Sequence, residues 1–162
     1  MKKLSLSLLV LLPVYLFFSL YFIDKYSFLC PIEYKRDMVI RNDRLGDGYF
    51  AAKRNGRRLH DGIDLYAQVG TPVYASRSGL VIAAKASRGM GQYIIIRHPH
   101  NIITIYGHLS EILVNKGEFV RQGRVIGLVG KTGNAGSPAI LPHLHFEVRK
   151  NGVPQDPLDY LD

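Results

Sequence analysis

The feature that most restricts this chain is a succession of short apolar runs broken by turn residues. From position 69 onward, Thr71–Ala75, Leu80–Ala84, Gln92–Arg97, Ile102–Tyr106, Val125–Val129 and Leu144–Val148 are each five or six residues long, which suits strands and is too short for packed helices. Between them stand Ser78-Gly79, Gly89-Met90-Gly91, Pro99-His100-Asn101, Lys116-Gly117 and the stretch from Gly130 to Gly136, whose glycines, proline and asparagines favour turns. No segment beyond residue 30 carries an apolar stripe at helical spacing. The pattern predicts a mainly β domain of about seven to ten short, antiparallel strands, folded as a sandwich or a partly open barrel.

All 16 glycines fall between Gly46 and Gly152, and all six histidines between His60 and His145. Turns and candidate chemistry therefore share one block, residues 46–162, and a length of 162 residues leaves room for one such domain. A hydrophobic fraction of 47% against 21% charged excludes a disordered chain. The single cysteine, Cys30, excludes an intramolecular disulfide and every multi-cysteine metal pattern, so any metal must be held by His, Asp or Glu.

The amino-terminal end is a different object. Leu4 to Ile23 runs for 20 positions without a charge, about the 30 Å of a bilayer core when helical. Bulky Tyr21, Phe22 and Ile23 offer no small-residue cleavage site, and Leu29 ahead of Cys30 departs from a lipobox. The expectation for residues 1–30 is an uncleaved, single-pass anchor in the cytoplasmic (inner) membrane, with the C-terminal domain on its periplasmic or extracellular side. Residues 31–45, charged and without clear periodicity, read as a basic stalk. The net charge is +8, and eight of the 21 basic residues lie between Lys35 and Arg58; such an excess favours an anionic lipid or wall polymer. No nucleic-acid motif is present, and no motif names a protein activator.

Candidate chemistry sits in two segments. In Leu59-His60-Asp61-Gly62-Ile63-Asp64-Leu65, a period of two puts His60, Gly62 and Asp64 on one face and Leu59, Ile63 and Leu65 on the core face, with Gly62 leaving room for an ion. In His143-Leu144-His145-Phe146-Glu147-Val148, the imidazoles of His143 and His145 oppose an apolar face. Together His60, Asp64, His143 and His145 form a candidate set for one zinc ion, with nitrogen and carboxylate donors and a position left for water. Glu147 shares the histidine face and reads as a surface charge, or as a partner behind an imidazole. His108, in Tyr106-Gly107-His108-Leu109-Ser110, reads as a turn histidine or a further site residue. His98 and His100 flank Pro99 and read as surface or structural residues.

These residues resemble the lysostaphin-type (LytM-type) zinc metallopeptidases, murein endopeptidases that cut peptide cross-links in bacterial cell walls. The likeness extends from about Arg41 to Leu161, through Leu59–Asp64, Gly70-Thr71-Pro72-Val73, Tyr106–Ser110, Gly123–Gly127 and His143–Val148 in family order. It implies a zinc ion held by His60, Asp64 and His145, a reaction site lined by His108 and His143, and an antiparallel sheet with a groove for a peptidoglycan peptide. Family members often have a short lead into His143, whereas the lead from Gly136 to Pro142 is longer here. The alternative is a catalytically silent member that binds cell wall or activates another hydrolase.

Overall fold

The computed structural model describes residues 13, 24, 27–54 and 58–161. Apart from Pro13, the apolar run expected as a membrane anchor lies outside the described residues. Among those described, no helix is long and apolar enough to cross a membrane.

Eleven strands are present among the described residues: β1 (Asn42–Asp43), β2 (Gly46–Asp47), β3 (Ile63–Tyr66), β4 (Pro72–Tyr74), β5 (Gly79–Ser87), β6 (Gly91–His98), β7 (Ile102–Ile112), β8 (Phe119–Val120), β9 (Val125–Val129), β10 (His143–Lys150) and β11 (Val153–Gln155). β1 and β2 form a hairpin of their own. The other nine belong to one antiparallel sheet with the path β11-β10-β7-β6-β5-β8, in which β3 pairs with β10, β9 with β7, and β4 with β9. Antiparallel β architecture is as the alternation predicts. In place of the two separate layers of a sandwich, hydrogen bonds join the nine strands into a single branched sheet, because β7 and β10 each pair with three partners.

β10 positions the site. Its residues from His143 to Val148 are all buried, yet its two faces differ in kind. Leu144, Phe146 and Val148 enter the apolar core with Ile63, Leu65, Ile94 and Tyr106. His143, His145 and Glu147 take the other face, as the two-residue period requires. Burial of each large apolar side chain stabilises the domain by about 1.5–3 kcal/mol, and this anchoring holds β10 in register. Leu59, expected on the core face of its segment, is instead 50% exposed: it bridges to Lys53, ahead of where β3 meets the sheet.

Two further expectations change. The stretch 31–45, read as a stalk, is packed on the domain: Ile32 is 2% exposed and belongs to the core, as does Phe28, also 2% exposed, from the end of the segment 1–30 expected as the anchor. Tyr66 donates its N–H to Val39 O and Arg41 to Asp64 O, both at 2.8 Å, so residues 39–41 run along β3. The residues that pack this stretch, Phe28, Cys30, Ile32, Tyr34, Met38 and Ile40, fall on every second position, but Arg36 interrupts that face and the charges Glu33, Lys35, Arg36 and Asp37 hide the alternation in the sequence. Gly62, read as leaving space for an ion, instead lets two backbones approach. A Cβ there would stand 2.8 Å from Glu147 Cγ and closer still to the Phe146 carbonyl oxygen, so β3 can pair with β10 only if position 62 has no side chain.

His98 is a structural histidine. It lies buried at the end of β6, with Nδ1 donating to Ser78 O at 2.9 Å and Nε2 2.8 Å from Thr104 Oγ1. Burial pushes its pKa down to about 4. The unfolded chain, with an ordinary value near 6.5, takes up the proton first as pH falls. The contribution of His98 is therefore intact above about pH 6.5 and is lost progressively towards pH 4, by about 3 kcal/mol. Urea-unfolding free energies of the wild type and His98→Gln, measured from pH 7 to pH 4, should show a flatter acid-side slope in the variant; parallel slopes would contradict this account.

Candidate metal centre

The pairing of β3 with β10 places His145 directly opposite Asp64. His60, just ahead of β3, completes the group: His60 Nε2 lies 3.0 Å from His145 Nδ1 and 3.1 Å from Asp64 Oδ1, and His145 Nδ1 lies 2.9 Å from the same oxygen. All three residues are buried. Donors bound at about 2.0–2.1 Å to a tetrahedral zinc ion stand about 3.3 Å apart, close to this spacing. The set has two imidazole nitrogens, one carboxylate oxygen and no thiolate, which suits zinc with one position open.

Each donor is aimed by a contact behind it. The Nδ1 of His60 meets Tyr49 O at 2.8 Å and the Nε2 of His145 meets Glu147 Oε1 at 2.9 Å, so in each neutral ring the N–H points away and the lone pair of the other nitrogen points inward. Glu147 is 3% exposed, and its Oε2 accepts from Arg149 Nε at 2.6 Å. It is thus an oriented partner and not a surface charge; its place on the histidine face was the signal for this in the sequence. The second oxygen of Asp64 accepts from Arg41 Nη2 at 2.9 Å and Arg54 Nη2 at 2.8 Å. Neither arginine was among the candidates, because an arginine's place in the sequence does not say which carboxylate it meets.

Burial disfavours the Asp64 carboxylate, but the His145 and His60 imidazoles outweigh it and hold its pKa well below the usual range. Burial likewise pushes His145 down, and its hydrogen bonds to the Asp64 and Glu147 carboxylates outweigh this and hold it at about 9. The other two histidines move the opposite way. Burial, helped by the neighbouring His145 and His143, takes His108 to about 3; burial also lowers His143, with the Asp64 carboxylate partly offsetting it.

His108 reaches the site through a bulge. Opposite β6, Gln92 pairs with Leu109 and Ile94 with Tyr106, so Gly107 and His108 together face Tyr93 alone. His108 has φ 61°, and this left-handed residue breaks the alternation that would otherwise send its side chain into the core. Its ring packs 5.0 Å from that of His143 and 5.8 Å from that of His145, centre to centre. Its Nδ1 meets Thr132 O at 2.8 Å and that of His143 meets Leu141 O at 2.7 Å, leaving both Nε2 atoms available. His100, by contrast, is exposed in the turn before β7. The five site candidates line an open cleft of about 490 Å³ whose walls include Lys53, Arg54, Arg58, Met90 and Ile140.

A buried imidazole–carboxylate–imidazole group in a cleft, with two more imidazoles beside it, suits a divalent ion and hydrolytic chemistry. Residues 58–157 match Peptidase family M23, and the chain belongs to that family. It is 45% identical over 101 residues to the DD-carboxypeptidase/endopeptidase Mpg of Neisseria meningitidis, covering 62% of this chain and 22% of that protein. It is 41% identical over 100 residues to the peptidoglycan DD-endopeptidase ShyC of Vibrio cholerae, with the same two coverages. The chain therefore spans about a fifth of the length of these relatives. Among solved structures, a zinc-containing peptidase from Vibrio cholerae aligns with a TM-score of 0.63 and 32% identity, over 82% of this chain and 38% of the other.

If Glu147 orients His145, Glu147→Ala should weaken zinc uptake by about 10- to 100-fold, as read by competition with a chromophoric chelator. Unchanged affinity would mean that packing alone aims the ring.

Proposed function

We propose that the chain is a zinc-dependent endopeptidase that hydrolyses peptide cross-links of bacterial peptidoglycan. The observation that carries this is the convergence of His60 Nε2, Asp64 Oδ1 and His145 Nδ1 to within 3.1 Å of one another. The names of the matched relatives support the substrate class. The intact donor set weighs against a silent scaffold.

Zinc held by His60, Asp64 and His145 would supply a Lewis acid for the scissile carbonyl and a lowered pKa for the attacking water. The chain's own residues move the protons. With Nδ1–H committed to Leu141 O, His143 has its Nε2 3.8 Å from Asp64 Oδ1. The neighbouring carboxylate stabilises a proton on that nitrogen, so His143 accepts the proton of the attacking water. The new C–O bond forms as this proton leaves, and its return to the amine nitrogen accompanies cleavage of the C–N bond. His108, held neutral by burial, offers its Nε2 as an acceptor that orients the water from the other wall of the cleft.

Digestion of purified peptidoglycan, with product identification, tests the assignment. The wild type should release peptides opened at the cross-link, lose activity on chelation and regain it with zinc. His145→Ala should lose both zinc and hydrolysis, whereas His108→Ala should keep zinc and lose about 10² to 10⁴ in turnover. Cleavage at the wild-type rate by metal-free His145→Ala would overturn the proposal.

We further propose that the uncharged run from Leu4 to Ile23 tethers the domain outside the cytoplasmic membrane. Added protease should digest the C-terminal domain in intact spheroplasts, and protection until lysis would contradict this.

A further inference from the structure

The residues matched to the family begin at position 58, yet side chains ahead of that boundary, Arg41, Asp43 and Arg54 among them, reach or support the site. Arg41 is 4% exposed and contacts Asp64 Oδ2 through both Nε, at 3.3 Å, and Nη2, at 2.9 Å. Its remaining nitrogen, Nη1, donates to Asp43 Oδ2 at 2.6 Å. The same Asp43 oxygen accepts the backbone N–H of Leu141 at 3.0 Å, across 98 residues of chain. Leu141 in turn offers its carbonyl to His143 Nδ1 at 2.7 Å. From one carboxylate oxygen, one path runs through a guanidinium to Asp64 and another through a single residue's backbone to His143.

Both paths have a physical need for Asp43. Arg41 and Arg54 share Asp64 Oδ2, so one carboxylate faces two guanidinium groups, and a buried guanidinium without its own countercharge is costly. Asp43 supplies the second negative charge. Leu141 is 42% exposed, so burial does not hold it. Its backbone is held instead by Asp43.

We infer that Asp43 is a positioning residue for the hydrolytic site: through Arg41 it fixes the carboxylate of Asp64, and through the Leu141 backbone it fixes the imidazole of His143. The segment around Arg41 and Asp43, outside the family-matched region, thereby completes the site and ties its two walls together. The effect on turnover rests on the peptidase reading; the effects on metal affinity and on the His143 ring do not.

The test uses the full chain with Asp43→Ala, Asp43→Asn and, as a control from the same turn, Arg44→Ala. Zinc affinity is read by chelator competition, the His143 ring by ¹⁵N NMR of the metal-free protein, and kcat and KM on a defined cross-linked muropeptide. For Asp43→Ala the expected result is a loss of about 10- to 100-fold in zinc affinity. Its His143 Nδ1–H signal should broaden, and kcat should fall by up to about 10²-fold with KM within about twofold. Asp43→Asn, which keeps an acceptor oxygen for Leu141 but no charge for Arg41, should lose zinc affinity and retain the His143 signal. Arg44→Ala should match the wild type throughout. Wild-type zinc affinity and an unchanged His143 signal in Asp43→Ala would overturn the inference. If that variant does not fold, wild-type zinc affinity in Asp43→Asn does so. A wild type that binds zinc but opens no cross-link would remove the peptidase reading and leave the other two measurements to decide the role of Asp43.

Discussion

The site depends on one cross-strand pair, His145 opposite Asp64 in the antiparallel ladder between β10 and β3. Side chains alternate across a strand with a period of two, so a slip of one residue would send His145 into the core and Leu144 into the cleft. Leu144, Phe146, Ile63 and Leu65, all fully buried, make that slip expensive. The apolar faces of the two strands thus hold the polar faces in register. Gly62 permits the arrangement by letting the approach to β3 lie against the backbone of β10.

Burying a carboxylate among imidazoles requires compensation, and the chain supplies it in layers. Asp64 presents one oxygen to His60 and His145 and gives the other to Arg41 and Arg54. Behind His145 stands Glu147, which is held by Arg149, and Arg149 in turn reaches Asp61 at 3.1 Å. Alternating charges of this kind satisfy groups that would be costly to bury alone. The basic residues near the start of the domain therefore have a local role: Arg41 and Arg54 neutralise the donor set, while Lys53 and Arg58 add positive charge to the cleft wall.

Much of the donor set was legible in the sequence because it obeys strand periodicity. His60 with Asp64 and His143 with His145 fall on single faces of short β segments, and local alternation is enough to see this. His108 was harder to place: alternation assigns it to the core side, and only the bulge opposite Tyr93 with its positive φ turns it towards the cleft. Glu147 lay on the right face, but burial is not a property of a residue's neighbours in sequence, so its charge read as surface. Arg41 and Asp43 gave no signal, since their partners Asp64 and Leu141 are 23 and 98 residues distant. Residues 31–45 read as a stalk because the charges Glu33, Lys35, Arg36 and Asp37 hide the alternation of Ile32, Tyr34, Met38 and Ile40.

Sequence alone determined the β character of the domain, the turns between strands and the chemical identity of the donors, because propensity and alternation act over a few neighbouring residues. Tertiary structure decided which of those donors meet, how each is aimed and which distant charges sustain them. Those outcomes follow from strand register, a bulge and the desolvation of paired charges, and each of these exists only when segments far apart in the chain are packed together.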